Sequence, residues 1–292
     1  MARTNLYFTT LFIFLSLTVN TDSVKKNYLQ ISSVLLWAEN SSQENFETEG
    51  KPNNIQGAGS RYNFEGDGRP QPGNRRGGAS RGNCPPTQPP LTALIPATNL
   101  GLTTQEYPTL WFYIPYNSTD IRQAELMLLD ENQRPVLEKP MKVQLSGTPG
   151  IIGVTLPSTA KPLELEREYH WFFELVCDSE NPSNNPRVDG WIKRVQPSSE
   201  LIAQLENNQT EKSYLVYAEN GIWYDALTRI IEVMRVNPTD STLTNDWSNF
   251  LESVGLGELI PTPMTDCCSF SEIQTSVEGE ESQSFRRKIS QL

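Results

Sequence analysis

Residues 163–177 constrain the fold more than any other part of the chain. Large apolar side chains and a cysteine occupy alternate positions in the second half of this segment: Tyr169, Trp171, Phe173, Leu175 and Cys177. On an extended strand, residues at alternate positions share one face. Such a face is typical of a strand that covers the core of an antiparallel sheet. The segment therefore predicts an antiparallel β-sandwich.

Further strand-like segments surround this one and are separated by Gly, Pro, Asn and Asp. They cover residues 91–96, 107–116, 124–129, 135–145, 152–156 and 190–195. Residues 107–116 are apolar or aromatic on both faces, which predicts a central strand. Leu163 precedes Tyr169 by six residues, a spacing that resembles the tyrosine corner of immunoglobulin-like and fibronectin type III domains, where the phenol bonds to the backbone. The resemblance implies an immunoglobulin/fibronectin-like sandwich. We place the sandwich domain at residues 84–197.

Helical patterns follow Pro197 and define a second unit, residues 198–256. Ser198 or Ser199 suits the start of a first helix, and Asn207 to Gln209 end it. Apolar residues then recur at helical spacing up to Val254, and Gly255 suits a C-terminal cap. We expect a small helical hairpin unit. Its small, aromatic and helix-ending positions resemble a tetratricopeptide repeat: Gly221, Trp223, Ala226 and Pro238.

The two ends of the chain carry weaker patterns. An apolar run at 6–19, or Lys25 and Lys26 followed by 28–38, predicts that residues 1–38 are a signal peptide or an uncleaved N-terminal anchor. Residues 39–83 are rich in Gly, Asn and Pro, which predicts a disordered linker. Residues 257–292 are predicted to be a disordered tail, with an acidic run at 278–281 and a solvated basic end at 286–288.

Composition excludes one class of partner. The formal net charge is −11, and phosphate binding requires clustered Lys and Arg. The Arg-Gly pairs at 75–82 resemble RNA-binding segments, but an acidic exported chain does not favour that function. We therefore expect no nucleic-acid partner.

The chain offers few residues for chemistry. Of its four cysteines, Cys84 and Cys177 are the natural disulfide pair in an exported protein, whereas the adjacent Cys267 and Cys268 lack the partners of a zinc site. Residues 78–82 match the nucleophile-elbow pattern around Ser80, and His170 is the single histidine. The elbow needs a strand before the serine and a helix after it, which this context does not favour. We expect no cofactor and no metal.

Several segments together resemble a family of cyanobacterial proteins. They are residues 76–84, 91–96, 111–116, 147–151, 171–178, 190–192 and 217–226. The resemblance, over roughly 76–256, is to the domain of unknown function number 928 (DUF928). It implies a bacterial exported protein, often found with tetratricopeptide and similar assembly modules, in the periplasm or outside the cell. It implies no activity and no catalytic residues.

Three hypotheses on function follow. The first is a non-catalytic binding or adaptor module for an envelope protein or a glycan, with aromatic side chains of the helical unit as the contact surface. These are Tyr214, Tyr217, Trp223, Tyr224 and Trp247. The alternative is that these aromatic side chains are buried against the sandwich. The second hypothesis is a structural component of an envelope assembly, and the third is a hydrolase that uses Ser80 and His170. Nothing in the sequence indicates the oligomeric state.

Overall fold

The structure, a computed structural model, describes residues 62, 64, 70–78, 84–178, 184–207 and 212–265, and the backbone of 269–270. Strands come first and helices follow, the α+β class that the sequence predicts. The strands are β1 (Thr92–Ala93), β2 (Leu100–Thr103), β3 (Thr109–Ile114), β4 (Gln123–Asp130), β5 (Met141–Gln144), β6 (Gly150–Thr155), β7 (Glu168–Leu175), β8 (Arg187–Arg194) and β9 (Ser269–Phe270).

The described strands lie in two sheets. One has three strands in the order β1-β3-β6, and the other has six in the order β2-β8-β7-β4-β5-β9. Neighbouring strands are antiparallel except β2 and β8, which run parallel. The sheets are thus mostly antiparallel, and β3 lies between two neighbours, as predicted from its two apolar faces.

The predicted apolar face of β7 lies in the core between the sheets. Phe112 of β3 stacks on Phe173 of β7 with ring centroids 3.9 Å apart, and it meets Trp171 edge-on at 5.5 Å. At the start of β7, the Tyr169 hydroxyl accepts a hydrogen bond from the Glu164 N–H at 2.9 Å. The phenol is therefore bonded to the backbone, as the spacing of the tyrosine predicts.

The helices of the described region are α1 (Ser199–Asn207), α2 (Ser213–Glu219), α3 (Trp223–Val236) and α4 (Ser241–Ser253), followed by a 3-10 turn at Gly257–Leu259. The unit therefore has more helices than the expected hairpin. The Ser198 hydroxyl caps α1 by accepting from the Leu201 N–H at 3.0 Å. Gly255, with φ of 69°, ends α4, and the next N–H bonds back to the Leu251 carbonyl at 2.8 Å.

Helix α3 packs directly on the sheets. Trp223 donates from its indole N–H to the Leu94 carbonyl at 2.8 Å, and the Tyr224 hydroxyl accepts from the Trp171 indole at 3.0 Å. The Tyr224 ring lies over Gly101 of β2, where an added Cβ would be 2.5 Å from Cε2 of the ring. The glycine therefore makes the close approach of α3 possible.

Part of the stretch predicted to be a disordered linker belongs to the fold. The Asp189 N–H donates to the Asn74 carbonyl at 3.0 Å, and the Ala93 N–H donates to the Arg75 carbonyl at 2.7 Å, so residues 74–75 join β8 to β1. The Arg75 side chain also donates to the Val254 carbonyl at the end of α4 at 2.7 Å. The prediction of a disordered linker is therefore wrong for residues 70–78, because amino-acid composition does not reveal these hydrogen bonds.

Two aromatic residues farther upstream are also part of the core. Tyr62 is 7% exposed and lies 4.9 Å from Phe250, measured between ring centroids. Phe64 is 5% exposed and meets Trp223 edge-on at 4.8 Å. Burial of these two rings stabilises their place in the core. The polar residues around them in the sequence do not predict this contact.

The predicted disordered tail is likewise wrong for its first residues. The Ile151 N–H donates to the Pro263 carbonyl, and the Thr265 N–H donates to the Ile151 carbonyl, both at 2.9 Å. Residues 263–265 therefore run alongside β6 of the three-stranded sheet. After them, β9 pairs with β5 of the six-stranded sheet. The predictions for residues 1–38, for Ser80, for Cys267 and Cys268 and for the rest of the tail concern residues outside those described.

Candidate functional site

A surface groove of about 350 Å³ lies beside α1 and α2. It is lined by Thr104, Pro197, Leu201, Ile202, Leu205, Glu206 and Tyr217. Thr104 follows β2, and Tyr217 comes from the last turn of α2. The groove is thus built where the first two helices leave the end of the sheet, and most of its lining is apolar.

The amphipathic pattern of α1 determines which side chains are available. Leu201 points inward and is 2% exposed in a small cluster with Val216 and Ile222. Ile202 is the next residue, so it lies about 100° farther round the helix and is 43% exposed. An exposed isoleucine in a groove, beside Leu205, offers apolar area that a partner can cover.

The groove lies beside the C-terminal ends of α1 and α2. The Asn220 amide, at the end of α2, donates to the side chain of Gln204 in the last turn of α1 at 3.0 Å, which brings the two C-termini together. The last turns carry Glu206 and Glu219, respectively, and no basic residue. A helix C-terminus has a partial negative charge that a cation stabilises. This end of the groove is therefore electrostatically suited to a Lys or Arg side chain.

A buried carboxylate lies beneath the wall that Thr104 forms. Asp225, in the first turn of α3, is 4% exposed. It accepts hydrogen bonds from the Thr103 hydroxyl at 2.6 Å, from the Thr104 N–H and hydroxyl, and from the Gln105 amide at 3.1 Å. These bonds fasten α3 to the end of β2. They also place a negative charge next to the groove.

The environment of Tyr217 reflects this charge. Burial raises the pKa of the Tyr217 phenol, and the nearby Asp225 carboxylate raises it further. Arg194, the last residue of β8, donates to the Thr104 carbonyl and to Glu106. Because Arg194 is paired with Glu106 at 3.2 Å, its charge is already matched.

The aromatic residues expected to form an exposed contact surface are mostly buried. Tyr214 and Trp223 are 0% exposed, and Tyr224 and Trp247 are each 2% exposed. The expectation is wrong for these four, because they pack against the sheets and the other helices. This is the alternative in which the aromatic side chains are buried. Tyr217 alone among the five is half-buried, and it lines the groove.

The proposed hydrolase pair is not supported at its histidine. His170 is 8% exposed, its Nε2 lies 2.8 Å from Oδ2 of Asp189, and its ring stacks on Trp191 with centroids 4.3 Å apart. Asp189 also accepts from the Asn74 N–H at 3.0 Å. The histidine therefore belongs to a buried cluster that ties residues 70–78 to β8. Ser80 lies outside the described residues.

The expected disulfide is present. Cys84 and Cys177 are bonded, with Cα atoms 5.7 Å apart, within the separation that a disulfide requires. The bond ties the start of the strand region to the end of β7. The Cys177 N–H also donates to the side chain of Asn185, whose amide donates to Glu174. Burial raises the pKa of the Glu174 carboxyl to about 7, although the Asn185 bond and Arg187 oppose this shift.

The described residues offer neither a metal-binding cluster nor a membrane-spanning helix. They contain no group of three or more His, Cys, Asp and Glu side chains placed to hold a metal ion. Within the same residues, no helix has the length and apolar character needed to cross a membrane.

The fold and its groove define an α+β protein with two mostly antiparallel sheets and a helical unit at one end. Residues 76–264 match the family model described as Domain of Unknown Function (DUF928). The chain belongs to this family, which confirms the resemblance identified in the sequence. The matched residues include the groove, the three-stranded sheet and every strand of the six-stranded sheet except β9. No curated protein matches the chain.

Proposed function

We propose that this protein is an exported, non-catalytic binding module that takes a segment of an envelope protein into the groove between α1 and α2. The observation that carries the proposal is the exposed Ile202 in an apolar groove with a negative end. An occupant of matching chemistry has an apolar side chain for the groove and a Lys or Arg beside it for the two helix ends.

The size and charge of the groove support a protein segment in preference to a glycan. A volume of about 350 Å³ is at the lower end of the range for ligand sites and suits one or two apolar side chains. Sugars are bound through many hydrogen-bonding groups, whereas four of the seven lining residues present none from their side chains: Pro197, Leu201, Ile202 and Leu205.

Export is supported by the Cys84–Cys177 disulfide, because such bonds persist in oxidising compartments. The non-catalytic character is supported by the buried pairing of His170 with Asp189, which leaves this histidine without access to a substrate. Fractionation tests the location. Recovery of the full-length protein with cytosolic markers would contradict export.

The binding proposal is tested with Ile202→Arg, compared with Val236→Arg. Val236 is 79% exposed at the far end of α3, about 16 Å along the helix from Asp225, so it provides a matched exposed control. A tagged protein is purified from the envelope fraction. We expect a defined partner with wild type and with Val236→Arg, and at least a tenfold loss with Ile202→Arg at an unchanged melting temperature, because arginine removes the apolar contact and repels the partner's basic residue.

The outcomes separate the hypotheses. A partner retained by Ile202→Arg as well as by wild type would contradict a role for the groove. Recovery of the protein only with copies of itself would favour a structural component of the envelope instead. Release of the partner by soluble glycans but not by salt would favour a glycan-mediated contact.

A further inference from the structure

We infer that the binding surface extends from the groove to the turn at residues 163–167, and that the partner segment carries two apolar side chains, one for Ile202 and one for Leu165. This inference rests on the proposed function, because it describes the segment that the groove takes. Leu165 is 42% exposed and Ile202 is 43% exposed. Among the described residues, the exposed large hydrophobic side chains are these two and Val236. Exposed apolar side chains that flank one groove are suited to anchor a protein segment.

Hydrogen bonds join the turn to the rim of the groove. Arg194 donates to the Leu163 carbonyl at 2.7 Å and to the Thr104 carbonyl at 3.3 Å. On the other side of the turn, the Glu166 carboxylate accepts from the N–H of the residue before Pro197 at 3.2 Å. Thr104 and Pro197 both line the groove. The turn therefore borders the groove at two of its lining residues.

Leu165 is presented by a turn that its neighbours hold in place. The Glu164 N–H donates to the Tyr169 hydroxyl at 2.9 Å, and the Glu166 N–H donates to the Arg194 carbonyl at 2.7 Å. Glu166 has a φ of 58°, which a residue with a side chain adopts only where the surrounding structure imposes it. An anchor that is ordered before binding loses less conformational freedom when the partner arrives.

The path from Leu165 to Ile202 limits the length of the segment. Glu166, next to Leu165, bonds to the Gln196 N–H, and Ser198 lies at most about 7 Å farther along the chain. The Ile202 N–H bonds to the Ser198 carbonyl, so Ile202 lies one helical turn beyond, about 5.4 Å along the axis. With the Glu166 side chain included, the Cα atoms of the two anchors are at most about 25 Å apart. A strand rises about 3.3 Å per residue, so about eight extended residues or fewer reach both anchors.

Charge favours a basic residue between the two anchors. Glu206 lines the groove beside the negative C-terminal ends of α1 and α2. Two basic side chains near the turn are already paired, Lys193 with Glu166 at 3.0 Å and Arg194 with Glu106 at 3.2 Å. These two cations are therefore matched, and they do not oppose a Lys or Arg of the segment as free charges would. The segment that fits is apolar at both ends and basic between them.

The test places p-benzoylphenylalanine at position 165 or at position 202 in cells, and mass spectrometry identifies the partner residue that each position joins. We expect both positions to join one segment of one protein, at residues no more than about eight apart, with Lys or Arg between them. Adducts in different proteins or in distant segments, or an adduct from position 202 alone, would overturn the inference. Adducts with a second copy of this chain would overturn it in favour of self-association.

Partner recovery gives an independent measurement with matched substitutions. Leu165→Ser removes exposed apolar area without adding a charge, and Val236→Ser does the same away from the groove. We expect Leu165→Ser to reduce the recovered partner about tenfold at an unchanged melting temperature, and Val236→Ser to leave recovery unchanged. Equal recovery with Leu165→Ser and with wild type would overturn the inference. Loss of the partner in Ile202→Arg but not in Leu165→Ser leaves the proposed function standing, whereas retention in Ile202→Arg contradicts both.

Discussion

Replacement of Asp225 tests how the helical unit is held on the sheets. Its carboxylate accepts hydrogen bonds from Thr103, Thr104 and Gln105, all at the end of β2. Thr103 is 0% exposed, whereas Thr104 is half-buried and Gln105 is exposed. Removal of the carboxylate therefore leaves the Thr103 hydroxyl without an acceptor, while water can reach the other two residues.

The magnitude follows from these exposures. A hydrogen bond to a charged group contributes about 1.5–3 kcal/mol, and an unsatisfied buried donor costs about 1–3 kcal/mol. We therefore expect Asp225→Ala to lower the free energy of unfolding by about 3–4 kcal/mol, with most of the loss at Thr103. For a folded unit of about 200 residues this corresponds to a decrease in melting temperature of about 10 °C. Asp225→Asn keeps one acceptor and should cost about half as much.

The assay is urea unfolding followed by tryptophan fluorescence, with the slope compared between variants to confirm that the same surface unfolds. Asp240→Asn is the matched control. Asp240 caps α4 by accepting from the Thr242 N–H at 2.7 Å, and asparagine caps helices as well as aspartate does. The control should change stability by less than about 0.5 kcal/mol. An Asp225→Ala variant within 1 kcal/mol of wild type would refute the argument.

Three further predictions concern other parts of the fold. Serine at both Cys84 and Cys177 opens a loop with a sequence separation of 93 and should cost about 4–5 kcal/mol in denaturant unfolding, while reduction of wild type should give the same loss. Gly101→Ala should lower the melting temperature by several degrees because its Cβ meets the Tyr224 ring, whereas Gly78→Ala, with nothing within 4 Å, should not. Burial raises the pKa of the Glu174 carboxyl from 4.5 to about 7, so the folded state holds this proton more tightly than the unfolded state. The free energy of unfolding should therefore fall as the pH rises from 4.5 to 7. Glu174→Gln should reduce this pH dependence, and an unchanged dependence would contradict the assignment to Glu174.

Much of the strand region could be predicted from alternation alone. The apolar face of β7 packs on β3, and β3 lies between two strands, because period-two patterns report which face is buried. β2 could not be predicted in this way. It has four residues, and Gly101 serves the approach of Tyr224, a contact more than 100 residues distant that no local pattern records.

The ends of the fold were harder to predict for a related reason. The contact of residues 74–75 with β1 and β8 uses backbone N–H and carbonyl groups, which every residue type carries. Composition therefore assigned this stretch to a linker, although Arg75 reaches the end of α4. Pairing of single residues across long separations leaves little trace in the sequence.

The groove could be predicted in part. Leu201 and Ile202 are adjacent, and two neighbouring helix positions do not share one face, so one of them had to point away from the inner contact. The aromatic residues were the wrong guide, because Trp223 and Tyr224 use their polar atoms within the core. An aromatic side chain with an internal hydrogen bond is a packing residue, and its type alone does not reveal this.

The most direct test of the account places a photo-cross-linking residue, p-benzoylphenylalanine, at position 202 or at position 236 in cells. We expect a discrete adduct with one envelope protein from position 202 and none from position 236, with the joined peptide of the partner containing an apolar side chain next to Lys or Arg. Equal adducts from both positions, or no adduct from position 202 while a partner still co-purifies, would contradict the groove as the binding surface.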